Sequence, residues 1–203
     1  MQILHIFIKN PVLGQVKTRL AATVGAEEAL RIYHFLLEKT REVSLSTNAR
    51  RWLWYSGIPS TNDGWEEADF VKKQQVEGDL GARMSAALGA AFQEGAEKAI
   101  LIGSDCPSLR AELLEQAFSA LDQSEVVLGP TYDGGYYLIG MRRWLPQLFD
   151  GIAWSTETVL SATLQRVEAI GVTCSLLEQL RDIDEEADWR AFLETQDRFS
   201  EED

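Results

Sequence analysis

The 203 residues suit one domain, 45% hydrophobic residues provide for a sizeable core, and a 25% charged fraction is ordinary for a globular chain. The formal net charge of −13, from 19 Lys and Arg against 32 Asp and Glu, argues against nucleic acid as the main partner. Duplex binding needs a basic surface, whereas a nucleotide needs only a few local cations. Much of the acid falls on expected surface helices and on the tail after Phe199, and reads as a solvated exterior.

The first apolar run, Ile3 to Ile8, is a buried strand, too short for a membrane span or a signal core. Helical spacing of Ala29, Tyr33, Leu36, Leu37, Thr40 and Val43 predicts a long helix over Ala26 to Leu45. Arg51 to Ser56 reads as a second strand. Gly57 to Asp69, with Pro59, Asn62 and Gly64, is a loop holding at most a short helix. Lys72 to Val76 follows as a strand, then a helix with Leu80, Met84, Leu88 and Ala91 inward. Ala99 to Ile102 is a continuous apolar strand, and Leu109, Leu113, Ala117 and Leu121 mark the next helix. Val126 to Leu128 and Tyr136 to Gly140 are strands joined by a turn at Tyr132 to Gly135. Helices over Thr156 to Ile170 and Glu185 to Phe199 flank a last strand, Val172 to Leu176.

Apolar strands alternating with amphipathic helices imply a mostly parallel sheet covered on both faces, mixed in its second half. The expectation is a single three-layer α/β/α sandwich. Cys106 and Cys174 form no CxxC pair, which fits a reducing cytoplasm.

In open parallel sheets, ligands bind beyond the carboxyl ends of strands. The special residues fall there repeatedly. After the first strand, Pro11 and Gly14 shape a loop in which Lys9, Lys17 and Arg19 place three cations within eleven residues. Exposed N–H groups and these cations suit phosphate oxygens. A second cluster is Gly78, Asp79 and Arg83, with Asp79 reading as a helix cap.

Asp105 follows a strand end directly and suits a divalent cation shared with substrate phosphates. Asp182 and Asp184 alternate about Ile183, so in extended chain both face one way while Ile183 turns to the core. Capping of the last helix explains Asp184 well, which leaves Asp182 as the better metal ligand of the two. Without metal, repulsion between such carboxylates leads us to expect no stability loss when Asp105 or Asp182 is removed. Asp133, Gly134, Gly135, Tyr136 and Trp154 are candidates for an acceptor pocket, although a plain hairpin turn and a core tryptophan explain them equally well.

Walker A, GxGxxG and GxSxG patterns are absent, and no histidine pair suggests zinc. His5 and His34 read as structural, and Cys106 as a small buried residue. The chemistry therefore rests on metal, cations and positioning.

The segments KNPVLGQVKTRL, EGDLGARM, LIGSDCPSL, GPTYDGGYYLIGM, IAWST and LRDIDEEADW, in this order, resemble the GT-A-fold glycosyltransferase family related to CofC, the phospholactate guanylyltransferase. More distantly they resemble the molybdenum-cofactor guanylyltransferases. Asn10, Leu13 and Gln15 stand where those relatives carry alanine, proline and a basic residue. The resemblance implies a nucleotide-diphosphosugar-transferase sheet, with a nucleotide-binding half to about residue 105 and an acceptor-binding half beyond it. It implies a nucleotide or nucleotide-sugar donor, a small-molecule acceptor, and Mg²⁺ or Mn²⁺ on Asp105 completed by Asp182 or Asp184. Lys9, Lys17 and Arg19 then line the donor's phosphates, while Asp133 to Tyr136 face the acceptor. The rival expectation is a non-catalytic nucleotide-binding module of the same fold.

Overall fold

A computed structural model describes the backbone of residues 1–200 and side chains through residue 196. The acidic tail expected after Phe199 lies outside the described side chains. Seven strands form one sheet: β1 (Gln2–Ile8), β2 (Arg50–Tyr55), β3 (Phe70–Gln74), β4 (Lys98–Ile102), β5 (Val126–Pro130), β6 (Tyr136–Met141) and β7 (Cys174–Leu176). Their spatial order is β3-β2-β1-β4-β6-β5-β7, and β6 alone runs antiparallel to its neighbours.

Alternation along each strand sorts the core into two layers. Leu4, Ile6, Leu53, Ile100 and Leu138 face α1 (Thr18–Val24), α2 (Ala26–Leu45) and α4 (Ala111–Ala120). Trp189 and Phe192 of α6 (Glu186–Ser200) pack on the same side, edge-on and tilted against Phe35. Ile3, Phe7, Trp52, Leu101 and Ile139 face α3 (Leu80–Gln93), α5 (Val159–Ile170) and a 3-10 turn at Pro146–Phe149. The expected three-layer sandwich with a mostly parallel, mixed sheet is what the chain forms.

The differences from the sequence reading have local causes. Helix α1 stands apart from α2 because Gly25, at φ 87, ends one and begins the other. Strand β3 starts two residues before the expected Lys72, because Phe70 is buried against Trp65 and pairs with Arg51. Strand β7 is short because only Cys174, Ser175 and Leu176 find partners on β5. Helix α5 begins at Val159 rather than Thr156, after a turn in which Ser155 adopts φ 62. Among the described residues no helix is long and apolar enough to cross a membrane.

His5 lies wholly buried in β1, where its Nδ1 accepts from Trp54 Nε1 at 2.9 Å and its ring meets Trp52 edge to face. Its Nε2 has no hydrogen-bond partner among the described residues. Burial first, then the charge of Lys73, pushes its pKa down from 6.5 to about 3. The folded protein thus keeps His5 neutral while the unfolded chain protonates it below pH 6.5. Stability tied to this residue is intact above that pH and is lost as the pH falls toward the folded value. Wild type should therefore lose about 1.4 kcal/mol per pH unit relative to His5→Gln across that window. Urea melts of both proteins at several pH values measure the difference, in which the shared carboxylates cancel. Parallel stability profiles would show that His5 is not held neutral.

Candidate active site

The chain leaves β1 toward β2 through α2 on one face of the sheet, and returns to β4 through α3 on the other. Strand order therefore reverses between β1 and β4, and crossovers on opposite faces leave a crevice beyond their carboxyl ends. A cleft of about 690 Å³ opens at that edge, lined from both halves of the chain.

The loop after β1 is pinned at several points. Tyr33 of α2 accepts from the Lys9 N–H at 2.8 Å and donates to the Lys9 carbonyl at 3.0 Å. Asn10 Nδ2 donates to Ile58 O at 2.8 Å, and Val16 is buried. Gly14 turns the loop at φ 75. These anchors deliver Lys17, at φ 47 and ψ 47, to the start of α1. Its side chain is only 5% exposed, and its ammonium lies 2.6 Å from Asp105 Oδ1 and 3.3 Å from Asp184 Oδ1. It also donates to Ile183 O at 2.6 Å. Burial pulls the Lys17 pKa down, but the charges of Asp105 and Asp184 outweigh that and hold it above the usual lysine value. The buried ammonium stays charged. Arg19 Nη1 reaches the other oxygen of Asp184 at 3.3 Å.

Asp105 is placed by the sharp exit from β4, and the Ile183 N–H donates to its carbonyl at 2.9 Å. Ile183 is buried, so Asp182 and Asp184 do share the side facing the cleft. Asp184 is not the cap of the last helix. Instead the Asp188 carboxylate accepts from the N–H groups of Asp184 and Glu185 at 3.2 and 3.0 Å, leaving the Asp184 side chain to the two cations. Asp182 has no cationic partner among the described residues; burial, then Asp133 and Asp184, push its pKa up from 3.8 to about 6.

Across the cleft, Asp133 Oδ1 accepts from Thr131 Oγ1 and from the Gly135 N–H, forming a tight turn. Gly134, at φ 87, lies against residue 157, and its carbonyl accepts from Leu160 N at 2.8 Å. Trp154 lies so close over Gly81 that a Cβ there would meet its ring at 2.5 Å, which ties the start of α3 to the segment that leads into α5. Asp79 caps α3 through Ala82 N at 2.8 Å, while Arg83 Nε donates to Gly78 O at 2.9 Å.

Of the sequence-derived site residues, Lys9, Lys17, Arg19, Arg83, Asp105, Asp133, Gly135, Tyr136, Trp154, Asp182 and Asp184 line one cleft. Pro11, Gly14, Gly78 and Gly134 shape the backbone beside it. Ser56 and Gln75 also line it, just past the ends of β2 and β3. Applying the strand-end rule to every parallel strand would have found them. Tyr33 carried no such signal, because its helical spacing reads as core.

Among the described residues no three His, Cys, Asp or Glu side chains converge as a complete metal site. The donors about the Lys17 ammonium are nonetheless two carboxylates and a carbonyl, all oxygen, around a point already holding a cation. That set fits magnesium or manganese, which take one or two carboxylates and complete their shell with water and phosphate.

Comparison with known proteins agrees with this fold. The solved structure of a "putative nucleotide-diphospho-sugar transferase" from Desulfovibrio desulfuricans is 30% identical, with 91% of this chain and 82% of that one covered and a TM-score of 0.84. At 12% identity, CMP:2-keto-3-deoxy-manno-octonic acid synthetase complexed with CTP shares the fold, with a TM-score of 0.60 and 99% of both chains covered. Rv0371c of Mycobacterium tuberculosis, complexed with manganese, does so at 16% identity and a TM-score of 0.56, over 96% of this chain and 99% of that one. No curated protein matched the sequence. Residues 39–156 match the family described as "Uncharacterized protein conserved in bacteria (DUF2064)", and the chain belongs to that family.

Proposed function

We propose that this protein is a metal-dependent transferase that takes a glycosyl or nucleotidyl group from a nucleotide-activated donor to a small acceptor. The observation that carries the reading is the meeting of Lys17, Arg19, Asp105 and Asp184 at the strand switch point, within one cleft. Lys9, Lys17, Arg19 and Arg83 supply its lining cations, all from the donor half. They hold the donor's phosphates and neutralise the charge that develops on a leaving nucleoside diphosphate or pyrophosphate. Asp105 and Asp184, with Asp182 beside them, would hold Mg²⁺ or Mn²⁺. That ion, when bound, supplies Lewis-acid stabilisation of the phosphate oxygens.

The acceptor side offers Asp133, Glu157 and Asp182 and, among the described residues, no lining Lys or Arg. A phosphorylated acceptor would be repelled there, so the charge distribution favours a neutral hydroxyl compound whose proton passes to Asp133 or Asp182. Glycosyl transfer to a hydroxyl is therefore the favoured form of the reaction. The non-catalytic alternative predicts nucleotide binding without turnover.

Thermal melts with nucleoside di- and triphosphates and nucleotide sugars, with and without Mn²⁺, test the donor assignment. Guanine nucleotides come first because of the motif resemblance to phospholactate guanylyltransferase. A ligand at about a hundred times its dissociation constant should add roughly 2.7 kcal/mol of stability. Arg19→Ala, at a side chain 64% exposed, should keep the fold. It should weaken donor binding by about 1.5–3 kcal/mol through the lost charge-assisted contact. No shift with any nucleotide in the presence of metal would sink the reading.

A further inference from the structure

We propose that Lys17 is an internal counter-ion that occupies the divalent-cation position between Asp105 and Asp184 until a donor draws it away. Metal and donor binding are thereby coupled. This inference rests on the transferase reading for the identity of the donor, but its central claim concerns metal alone.

The geometry leaves little for a second cation. Three oxygens crowd the ammonium: Asp105 Oδ1 as an ion pair, and Asp184 Oδ1 and the carbonyl of Ile183 as hydrogen-bond acceptors. Arg19 takes the remaining oxygen of Asp184. Two carboxylates and two cations thus make a neutral group. A divalent ion at ordinary ligand distance from Asp105 and Asp184 would sit within a few ångströms of the ammonium, and the two exclude each other.

Lys17 is also held in a backbone region that side-chain-bearing residues rarely adopt, with buried Val16 before it and buried Leu20 in the helix it starts. A change of that backbone conformation would relieve strain and let the ammonium leave the two carboxylates within the cleft that all three line. Asp105 and Asp184 are 47% and 40% exposed, so both stay reachable from the cleft when the lysine leaves. Donor phosphates offer Lys17 and Arg19 new anionic partners, and the freed carboxylates then accept the metal. Because such coupling is reciprocal, metal must tighten donor binding by the same factor.

The test is Mn²⁺ binding, followed by electron paramagnetic resonance of the free ion, with no nucleotide present. Wild type should bind Mn²⁺ weakly, and Lys17→Met, which keeps the length of the side chain without its charge, should bind about tenfold more tightly. Arg19→Gln, at an exposed position, should shift affinity in the same direction by less and serves if Lys17→Met does not fold. Adding a nucleotide that binds should tighten Mn²⁺ in wild type far more than in Lys17→Met. Equal or weaker Mn²⁺ binding by Lys17→Met overturns the inference. A screen in which no nucleotide binds overturns the transferase reading instead, and leaves the metal-only result to be judged separately.

Discussion

Asp105→Ala is expected to destabilise the metal-free protein by about 1.5–3 kcal/mol, the cost of taking from the buried Lys17 ammonium the nearer of its two carboxylate partners. From the sequence, carboxylates gathered at one sheet edge promised repulsion, and hence no loss on removing one. The Lys17 ammonium reverses the sign, because its contacts with Asp105 and Asp184, together with that of Arg19 on Asp184, balance both carboxylates before any metal arrives. Asp105 is about half open to solvent, which screens the pair and keeps the expected cost below that of a fully buried bridge. Asp182→Ala should behave differently, since no cation pairs with that carboxylate among the described residues and its neighbours Asp133 and Asp184 repel it. Its removal should leave stability unchanged or raise it. Urea denaturation of wild type and both variants in the presence of a chelator separates the two cases. Equal stability of Asp105→Ala and wild type would mean that the Lys17 contact contributes nothing.

Gly134→Ala should cost still more, about 2–5 kcal/mol. A non-glycine residue at φ 87 accounts for about 1–2 kcal/mol. The new Cβ would fall 2.0 Å from the carbonyl oxygen of Glu157, so the backbone of one segment must move, at about 1–3 kcal/mol. Separating the segments also strains the bond from Leu160 N to the Gly134 carbonyl and shifts the neighbouring Asp133. Gly14→Ala is the matched control: its φ is 75, but nothing lies within 4 Å of the added Cβ, so only the conformational cost applies. If chemical denaturation finds the two variants equally destabilised, the contact at Glu157 is not what requires glycine at 134.

The sequence by itself determined the layers. Long apolar periods in Ala26–Leu45 and Leu80–Gln93, and uninterrupted apolar strands such as Lys98–Ile102, can bury their surfaces only in a sheet covered on both sides. It also gave the edge at which to seek the site, because polar residues at parallel strand ends are carried to one side of any such sheet. Asp105, Lys17 and Asp182 were therefore legible from their places after strands. Pairing was not legible, since it depends on strand order, and strand order is fixed by crossovers that no local pattern encodes. Only the tertiary structure brought residue 17 to residues 105 and 184, giving the Asp184 side chain to Lys17 and Arg19 and the N–H groups of Asp184 and Glu185 to Asp188. It alone set Trp154 over Gly81 and Gly134 against Glu157, contacts between segments far apart in the chain or curled by a turn. Periodicity reports which face of an element is apolar; which charge meets which is decided by where the packed elements leave their ends.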